Sequence, residues 1–522
     1  MNKQYDKVVY KSLKSLRLIL GDQLISTHSW FQQQEPETVY VLMEMMQEQT
    51  YVKHHIQKIL AFFAAMRNFA FQLEKAGHEI IYLKLDDPEN EQTLNGNLQK
   101  IIDKRSIEQF EYLLPDEYRL DEQLKTFCKS LTIATKVYDT EHFFTSREEV
   151  GDFFSGKNQL IMESFYRHMR QKHELLMNGN EPIGGQWNFD HDNRNKFDHK
   201  VSLPEPLVFE HDLSEIKSMI DRLNVPYFGN VEAGKVALPL SRKEGLKLID
   251  YFCQNLLPHF GTYEDAMLQE HKSLFHSRLS FALNVKLISP KEVIYQAILT
   301  WQQNQKEISL PQIEGFTRQI LGWREYMRGL YWAKMPDFAE KNFFNHRAKL
   351  PQWFYTGETK MNCLKHCIGQ SLDLAWAHHI QRLMVIGNFA LLSGTNPHEV
   401  DDWYLGVYID AMQWVQLPNT HGMSQFADGG IVGTKPYVAS AAYINKMSNY
   451  CGNCFYDPKK KYGEKACPYN SLYWDFFFRN EHLLANNQRL KMIYGNLHRL
   501  KPDDLEKILE QAAVYKSKVD EL

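Results

Sequence analysis

Short apolar runs alternate with amphipathic stretches over the first 140 or so residues. Leu16–Leu20 and Val39–Met43 are continuous apolar runs of strand length. Between His54 and Ala76, the residues Ile56, Ile59, Phe63, Met66, Ala70 and Leu73 recur at helical spacing, and Gly77 supplies a stop. A strand over Ile80–Leu85, a helix over Leu94–Lys104, a strand at Tyr112–Leu114, a helix near Glu122–Leu131 and a strand at Lys136–Tyr138 follow. This alternation predicts a parallel sheet covered on both faces, with any ligand beyond the carboxyl ends of its strands. Gly21–Leu24 and Glu44 stand at two such ends. No G-x-G-x-x-G follows the first run and no Walker loop occurs, so the sheet carries no standard phosphate cradle.

From about Thr145 to Pro239 the pattern loosens. A helix over Leu160–Met177 carries Arg167, Arg170, Lys172 and His173, and a charged run spans His191–Lys200. The stretch reads as a connection between domains, either a solvated linker or a basic face tracking a phosphate backbone. Beyond Pro239 the pattern is helical. Ser241 and Glu244 have capping-box spacing, with Gly245 in the same turn. Further helices are expected over Tyr263–Glu270, Ser277–Val285, Pro290–Asn304, Pro311–Ala333 and from Met361 onward. The expected division is an α/β domain at 1–144, a connection at 145–239 and an all-α domain at 240–522.

A chain of 522 residues is long enough for two or three domains. The net charge of -4 excludes coating nucleic acid by bulk charge and leaves room for a local basic groove. Met1–Lys14 has no signal-peptide pattern, and no apolar run is long enough to span a bilayer, so a cytoplasmic, membrane-free location is expected. There, clustered cysteines point to metal rather than to disulfides.

The densest chemistry lies between Met361 and Asn470. Cys451-x2-Cys454-x12-Cys467-Pro468 places two thiols on one turn and a third beyond it, with Cys363 or Cys367 available as the fourth. That set permits tetrahedral zinc or an iron–sulfur cluster, and the trailing proline tilts toward the latter. Cys363 and Cys367 share a face if helical, and spacing alone does not choose between them. Cys128 and Cys253 read as plain core residues. His378 and His379 are expected on a helix about 100° apart, so that they point different ways, with Arg382 on the His378 face and able to pair with Asp410. Histidine is the natural proton donor near neutral pH. Trp403, Tyr404, Tyr408 and Trp414 crowd one segment that packs or relays electrons; Tyr437 and Tyr443 are polar-tipped aromatics.

These pieces resemble the prokaryotic iron–sulfur photolyases/cryptochromes that repair (6-4) photoproducts. The resemblance runs through LILGDQL at Leu18–Leu24, YVKHH at Tyr51–His55, PHFGTYEDAM at Pro258–Met267, LFHSRLSFALN at Leu274–Asn284, EGFTRQILGWREYMRG at Glu314–Gly329, AHHIQRLM at Ala377–Met384 and the closing cysteines. It implies the photolyase/cryptochrome fold: a Rossmann-like antenna domain joined to a helical FAD-binding domain. It also implies that Tyr263, His276, Ser277, Leu279 and Ser280 line the FAD phosphates and ribityl chain. Trp323 and Arg324 would stand beside the cofactor, Arg382 and Asp410 would pair at the isoalloxazine, and Gln416 would replace the family's asparagine near N5. His378, His379, Tyr437 and Tyr443 match the lesion pocket. Trp403 and Tyr404 match the photoreduction chain, whose last member is Tyr355 where tryptophan is expected. The implied 4Fe-4S ligands are Cys363, Cys451, Cys454 and Cys467. Gly21, Asp22, Gln23 and Glu44 match an antenna site for 6,7-dimethyl-8-ribityllumazine.

The implied activity is light-driven reversal of (6-4) lesions in UV-damaged DNA by a monomer. An electron passes from reduced FAD, and His379, or His378 as second choice, gives a proton. A flipped lesion costs less to extrude than an intact base. Asp190 and Asp192 are a candidate divalent-cation pair. The rival classes are a blue-light receptor without repair and a zinc-stabilised DNA-binding module.

Overall fold

The computed structural model describes residues 13–157 and 159–522. Most of the Met1–Lys14 stretch, read above for a leader, therefore lies outside the described residues.

Five strands form one parallel sheet: β1 (Ser15–Leu18), β2 (Thr38–Met43), β3 (Glu79–Leu83), β4 (Gln109–Leu113) and β5 (Ala134–Tyr138), in the order β3-β2-β1-β4-β5. β1 pairs Leu16 with Val39 on one side and with Phe110 on the other. Every residue of β2 is buried, as expected for a strand covered on both faces. The crossovers are α1 (Ile56–Lys75), α2 (Leu94–Arg105) and α3 (Tyr118–Ser130). His55 caps α1 by accepting from the Gln57 N–H, and Thr93 caps α2 through the Gly96 N–H. The strand order reverses around β1, which puts the ligand-binding crevice at the carboxyl ends of β1, β2 and β4.

Residues 145–239 are not a loose linker. Val150, Phe165, Tyr166, Met169, Ile216 and Ile220 are buried in the same apolar cluster as α1 and the helical half. The helix there is α4 (Met162–Lys172), shorter than expected. Arg170 is fully buried and donates to the carbonyls of Leu175, Leu176 and Trp187; Arg167 pairs with Glu163 and Lys172 with Glu149. The expected basic face is thus neutralised by local partners.

The C-terminal half is helical: α5 (Arg242–Tyr251), α6 (Pro290–Gln303), α7 (Leu310–Thr317), α8 (Glu325–Lys334), α9 (Asn362–Leu374), α10 (Pro397–Val407), α11 (Pro468–Arg479) and α12 (Pro502–Ser517) are its longer elements. The Ser241 hydroxyl caps α5, but the Glu244 carboxylate takes the Leu240 N–H rather than closing a capping box; the full box is at Ser289–Glu292. No helix forms over Tyr263–Glu270. That stretch is a chain of turns whose Met267 N–H is taken by the Met447 carbonyl, a tertiary bond that overrides the local pattern.

Wide π-helical turns interrupt the helices at Arg318–Arg324, Gln381–Gly387 and Pro418–Ser424, each carrying residues singled out from the sequence or adjoining them. Two of them cross at Gly387, where a Cβ would fall 2.0 Å from Ser424 Oγ and 2.9 Å from the Arg382 carbonyl. Gly406 does the same for the two halves: a Cβ there would meet the Lys53 carbonyl at 2.2 Å. No helix among the described residues is long and apolar enough to cross a membrane.

Candidate functional site

The long helix expected from Met361 breaks after Leu374. Ala375 adopts a left-handed φ of 50°, and the chain turns helical again just after His378. The Gln381 carboxamide accepts the His378 N–H at 3.0 Å, and the Arg382 N–H donates to the His378 carbonyl at 3.2 Å. This break corrects the expected 100° divergence. The His378 ring stacks on His276 at 4.6 Å, His379 lies 5.5 Å from His276, and ring nitrogens of all three fall within 4.8 Å of one another.

The three imidazoles are electrostatically unequal. Burial, reinforced by a neighbouring imidazole, pushes His276 down to about 3 and His378 well below its ordinary value. Both are neutral. The His379 side chain is 49% exposed, with Nε2 3.3 Å from Asp265 Oδ1. Burial alone would raise the Asp265 carboxyl; the hydrogen bond and charge of His379 outweigh it and bring it below the usual range. Tyr443 stands at the same acid, its phenol pushed up by burial and then by the Asp265 charge. Tyr437 packs against Gly433 with no recorded bond to the histidines.

Arg382 grips Asp410 through Nη1–Oδ1 at 2.9 Å and Nη2–Oδ2 at 3.1 Å, and lies 3.7 Å over the Tyr408 ring. The guanidinium more than offsets burial and holds the Asp410 carboxyl below its ordinary value, with help from Ser280. Asn284 donates to the Asp410 carbonyl at 2.8 Å, and Lys58 Nζ donates to the carbonyls of Leu405 and Ala411 at 2.7 Å each. Gln416 donates to the Thr420 hydroxyl.

Leu279 is buried on the same loop as His276 and Ser277, and the Ser277 hydroxyl accepts from its N–H at 3.5 Å. Tyr263 stacks on Phe275 at 5.5 Å, and Trp323 packs edge-on to Tyr326 at 6.1 Å. Arg324 is buried over Phe143 and Trp414, with bonds to Leu283 and Asn284 at 3.3 Å. Its Nε and Nη1, together with His276 Nε2 and His378 Nδ1, are buried without hydrogen-bond partners. Unpartnered buried donors of this kind fit a polar cofactor and substrate.

Trp403 lies 5.4 Å from Tyr404, whose hydroxyl donates to the Arg382 carbonyl at 2.7 Å. On its other side Trp403 meets Phe354 at 5.1 Å. Tyr355 is 43% exposed and packs on Phe228 instead. Trp414 is not part of this cluster; it faces Phe143 and Arg324.

Cys363, Cys451, Cys454 and Cys467 line a small, tight cavity with Tyr450 and Tyr469. Cys367 is outside that lining, its sulfur 3.8 Å from the Tyr450 hydroxyl. The helix face shared by Cys363 and Cys367 therefore presents only the first to the cavity. Burial, then neighbouring sulfurs, push Cys363 well up and Cys451 to about 11; burial is also the main cause holding Cys467 at about 12.

A separate cleft of about 1040 Å3 opens at the crevice around β1, lined by Gly21, Asp22 and Glu44. Gln23 does not line it; its amide is spent on the Leu20 N–H and the carbonyls of Leu113 and Leu114. The Glu44 carboxylate is bound by Arg67, Tyr82 and the Leu85 N–H. Sequence reasoning missed Glu48, Lys58 and Glu117 and put Trp414 with the Trp403 aromatics; all four line the same cleft. Glu48 follows Glu44 by four residues, the one signal that would have found it.

The expected cation pair does not form. Asp190 is committed to Arg318 and Arg194, and Asp192 to His191. A second imidazole–carboxylate group, His398, Asp401 and His421, is organised by the 2.6 Å bond between His421 Nδ1 and Asp401.

Residues 17–235 match a family model described as deoxyribodipyrimidine photo-lyase-related protein. The chain is similar to a relative from Agrobacterium fabrum named (6-4) photolyase, 41% identical over 512 residues, covering 97% of this chain and 100% of the relative. It is also 35% identical over 97 residues to uncharacterized protein R855 of Acanthamoeba polyphaga mimivirus, covering 19% of this chain and 72% of that one. Among solved structures, a bacterial class III photolyase from Agrobacterium tumefaciens superposes with a TM-score of 0.55 at 14% identity, covering 85% of this chain and 86% of that one. A cryptochrome from Synechocystis sp. PCC6803 gives 0.56 at 14% identity, covering 83% and 86%. These likenesses carry the fold alone.

Proposed function

The chain belongs to the prokaryotic photolyase/cryptochrome family, and from that premise we propose that it is a light-driven DNA photolyase reversing (6-4) pyrimidine–pyrimidone photoproducts. The observation that carries the reading is the convergence of His276, His378 and His379 beside Asp265, on the segment that also delivers Arg382 to Asp410. Reduced FAD supplies, when bound, the light-excited electron that weakens the lesion and is afterwards recovered, so that repair is redox-neutral.

The chain's own residues do the rest. His379, its Nε2 3.3 Å from Asp265 Oδ1, would give a proton to the lesion oxygen that migrates and take one back as the bases are restored. His378 stays neutral; its unpartnered Nδ1 is available to orient the flipped bases. Tyr443 anchors Asp265, and Tyr437 is assigned to the rim of the lesion pocket. Tyr263, His276, Ser277, Leu279 and Ser280 would hold the cofactor's phosphates and ribityl chain, with Trp323, Arg324 and Gln416 beside it. The Arg382–Asp410 pair would stand at the cofactor's ring. Trp403 and Tyr404 are the relay for refilling the cofactor with electrons.

Cys363, Cys451, Cys454 and Cys467 would hold a 4Fe-4S cluster. The β1 cleft would hold the lumazine antenna. The chain acts as a monomer in the cytoplasm.

Dark binding tests the reading. The FAD-loaded protein is expected to retain duplex carrying a single (6-4) lesion over undamaged duplex and to release it after blue illumination. Equal retention of both duplexes contradicts it.

A further inference from the structure

We infer that the cleft around β1 selects an uncharged polyhydroxylated heteroaromatic and rejects the phosphorylated form of the same molecule, with Glu48 and Glu117 as the selecting side chains. The inference rests on the antenna reading of that cleft and goes beyond it by naming what distinguishes accepted from refused ligands.

The cleft is apolar in its depth and acidic at its polar positions. Tyr51, Phe62 and Trp414 supply aromatic walls for a flat ring. Trp414 Nε1 is buried without a partner, a donor for a ring acceptor. Against these stand five lining acids: Asp22, Glu44, Glu48, Asp116 and Glu117. The one lining cation is Lys58, and its ammonium is already donating to the carbonyls of Leu405 and Ala411.

The cations that neutralise the acids lie behind them, out of the lining. Lys286 serves Asp22 and Asp116, Arg328 also reaches Asp116, and Arg67 serves Glu44. Glu48 and Glu117 have to share one guanidinium. Arg119 gives Nη1 and Nη2 to Glu48 at 3.0 and 2.7 Å and Nε to Glu117 at 2.8 Å. That pair is the least compensated of the five. Burial is the main cause pushing Glu117 up to about 7, and the nearby Glu48 charge adds to it.

A phosphate site needs arginine or lysine forks or free helix N-terminal amides. No arginine lines this cleft, and its one lysine, Lys58, is already donating to backbone carbonyls. Glu117 itself occupies the N-cap position of α3, so the helix end nearest the ligand is shared with a carboxylate. A ribityl chain brings hydroxyl donors that carboxylates accept. A terminal phosphate brings acceptors and about two negative charges to a wall of acceptors.

Riboflavin and its 5′-phosphate differ only in that group, so they isolate the effect. The FAD-loaded protein is titrated with 6,7-dimethyl-8-ribityllumazine, riboflavin and riboflavin 5′-phosphate, reading ligand fluorescence. The lumazine and riboflavin are expected to bind, and the phosphate at least about tenfold more weakly, with a gap that narrows as added salt screens the charges. Glu48→Gln and Glu117→Gln are each expected to narrow the gap by strengthening the phosphate's binding. Equal or tighter binding of the phosphate by the unmodified protein overturns the inference while leaving the antenna reading in place. Failure of all three to bind overturns both.

Discussion

The Arg382 guanidinium and the Asp410 carboxylate meet in a two-point clasp, 2.9 and 3.1 Å, where the histidine segment, Ser280 and the Lys58 helix come together. Removing one partner strands a buried charge. Arg382→Ala is expected to cost about 3–5 kcal/mol of stability and to release FAD. Arg382→Lys keeps the charge but loses the planar fork, and is expected to retain FAD only partly. Urea denaturation and the flavin absorbance of the purified variants check both.

Asp265 positions the proton donor. Asp265→Asn removes the carboxylate that His379 Nε2 faces at 3.3 Å. Repair is expected to fall by about tenfold or more with FAD retained. His379→Ala is expected to abolish repair at every pH without displacing FAD. Repair rates across pH, alongside flavin content, check this pair.

The cysteines divide four to one. Cys363→Ser or Cys451→Ser is expected to lower iron content and the melting temperature together, because metal binding is linked to folding. Cys367→Ser is expected to keep full iron, since its sulfur sits outside the cavity against Tyr450. Iron and acid-labile sulfide analysis separates the outcomes.

Acid weakens the fold through its buried imidazoles. His276 is depressed by burial to about 3, below the roughly 6.5 of an unfolded histidine. Between those values the unfolded chain binds the extra proton, so stability is full above about pH 6.5 and is lost as pH falls. At about pH 5 this one group accounts for roughly 2 kcal/mol. His276→Asn is expected to narrow the stability gap between about pH 7.5 and pH 5 by that amount, as read from urea unfolding at each pH.

Photoreduction should depend on contact. Trp403 touches Tyr404, and Tyr355 does not touch Trp403 among the contacts formed. Trp403→Phe is expected to slow light-driven flavin reduction strongly, and Tyr355→Phe to change it little. The rate of flavin bleaching under blue light with an external reductant is the readout.

The parallel sheet was legible in the chain because period and punctuation agree there. β2 is buried on both faces, and Gly77 takes the positive φ that ends α1. Three of the cavity cysteines and the Arg382–Asp410 clasp were legible because their residue types have few other uses, while the choice of Cys363 over Cys367 as the fourth cavity residue needed the fold. The misses have one cause, long-range contacts that local pattern does not encode. The Tyr263–Glu270 segment gives its Met267 N–H to the Met447 carbonyl instead of to a helix. His378 and His379 converge because Ala375 goes left-handed, which an alanine does not announce. Gln23 looked like a site residue and is a brace, while Glu48 and Glu117 come together only through Arg119.

The most direct measurement is chemical conversion on a defined oligonucleotide. The reduced, FAD-loaded protein is mixed with one strand carrying a single (6-4) photoproduct and another carrying a single cyclobutane dimer, and the products are resolved by chromatography after blue light or darkness. The account predicts that the (6-4) strand returns to intact pyrimidines in the light only, and that His379→Ala leaves it unchanged. A (6-4) strand that stays damaged under illumination while FAD is bound and reduced contradicts it.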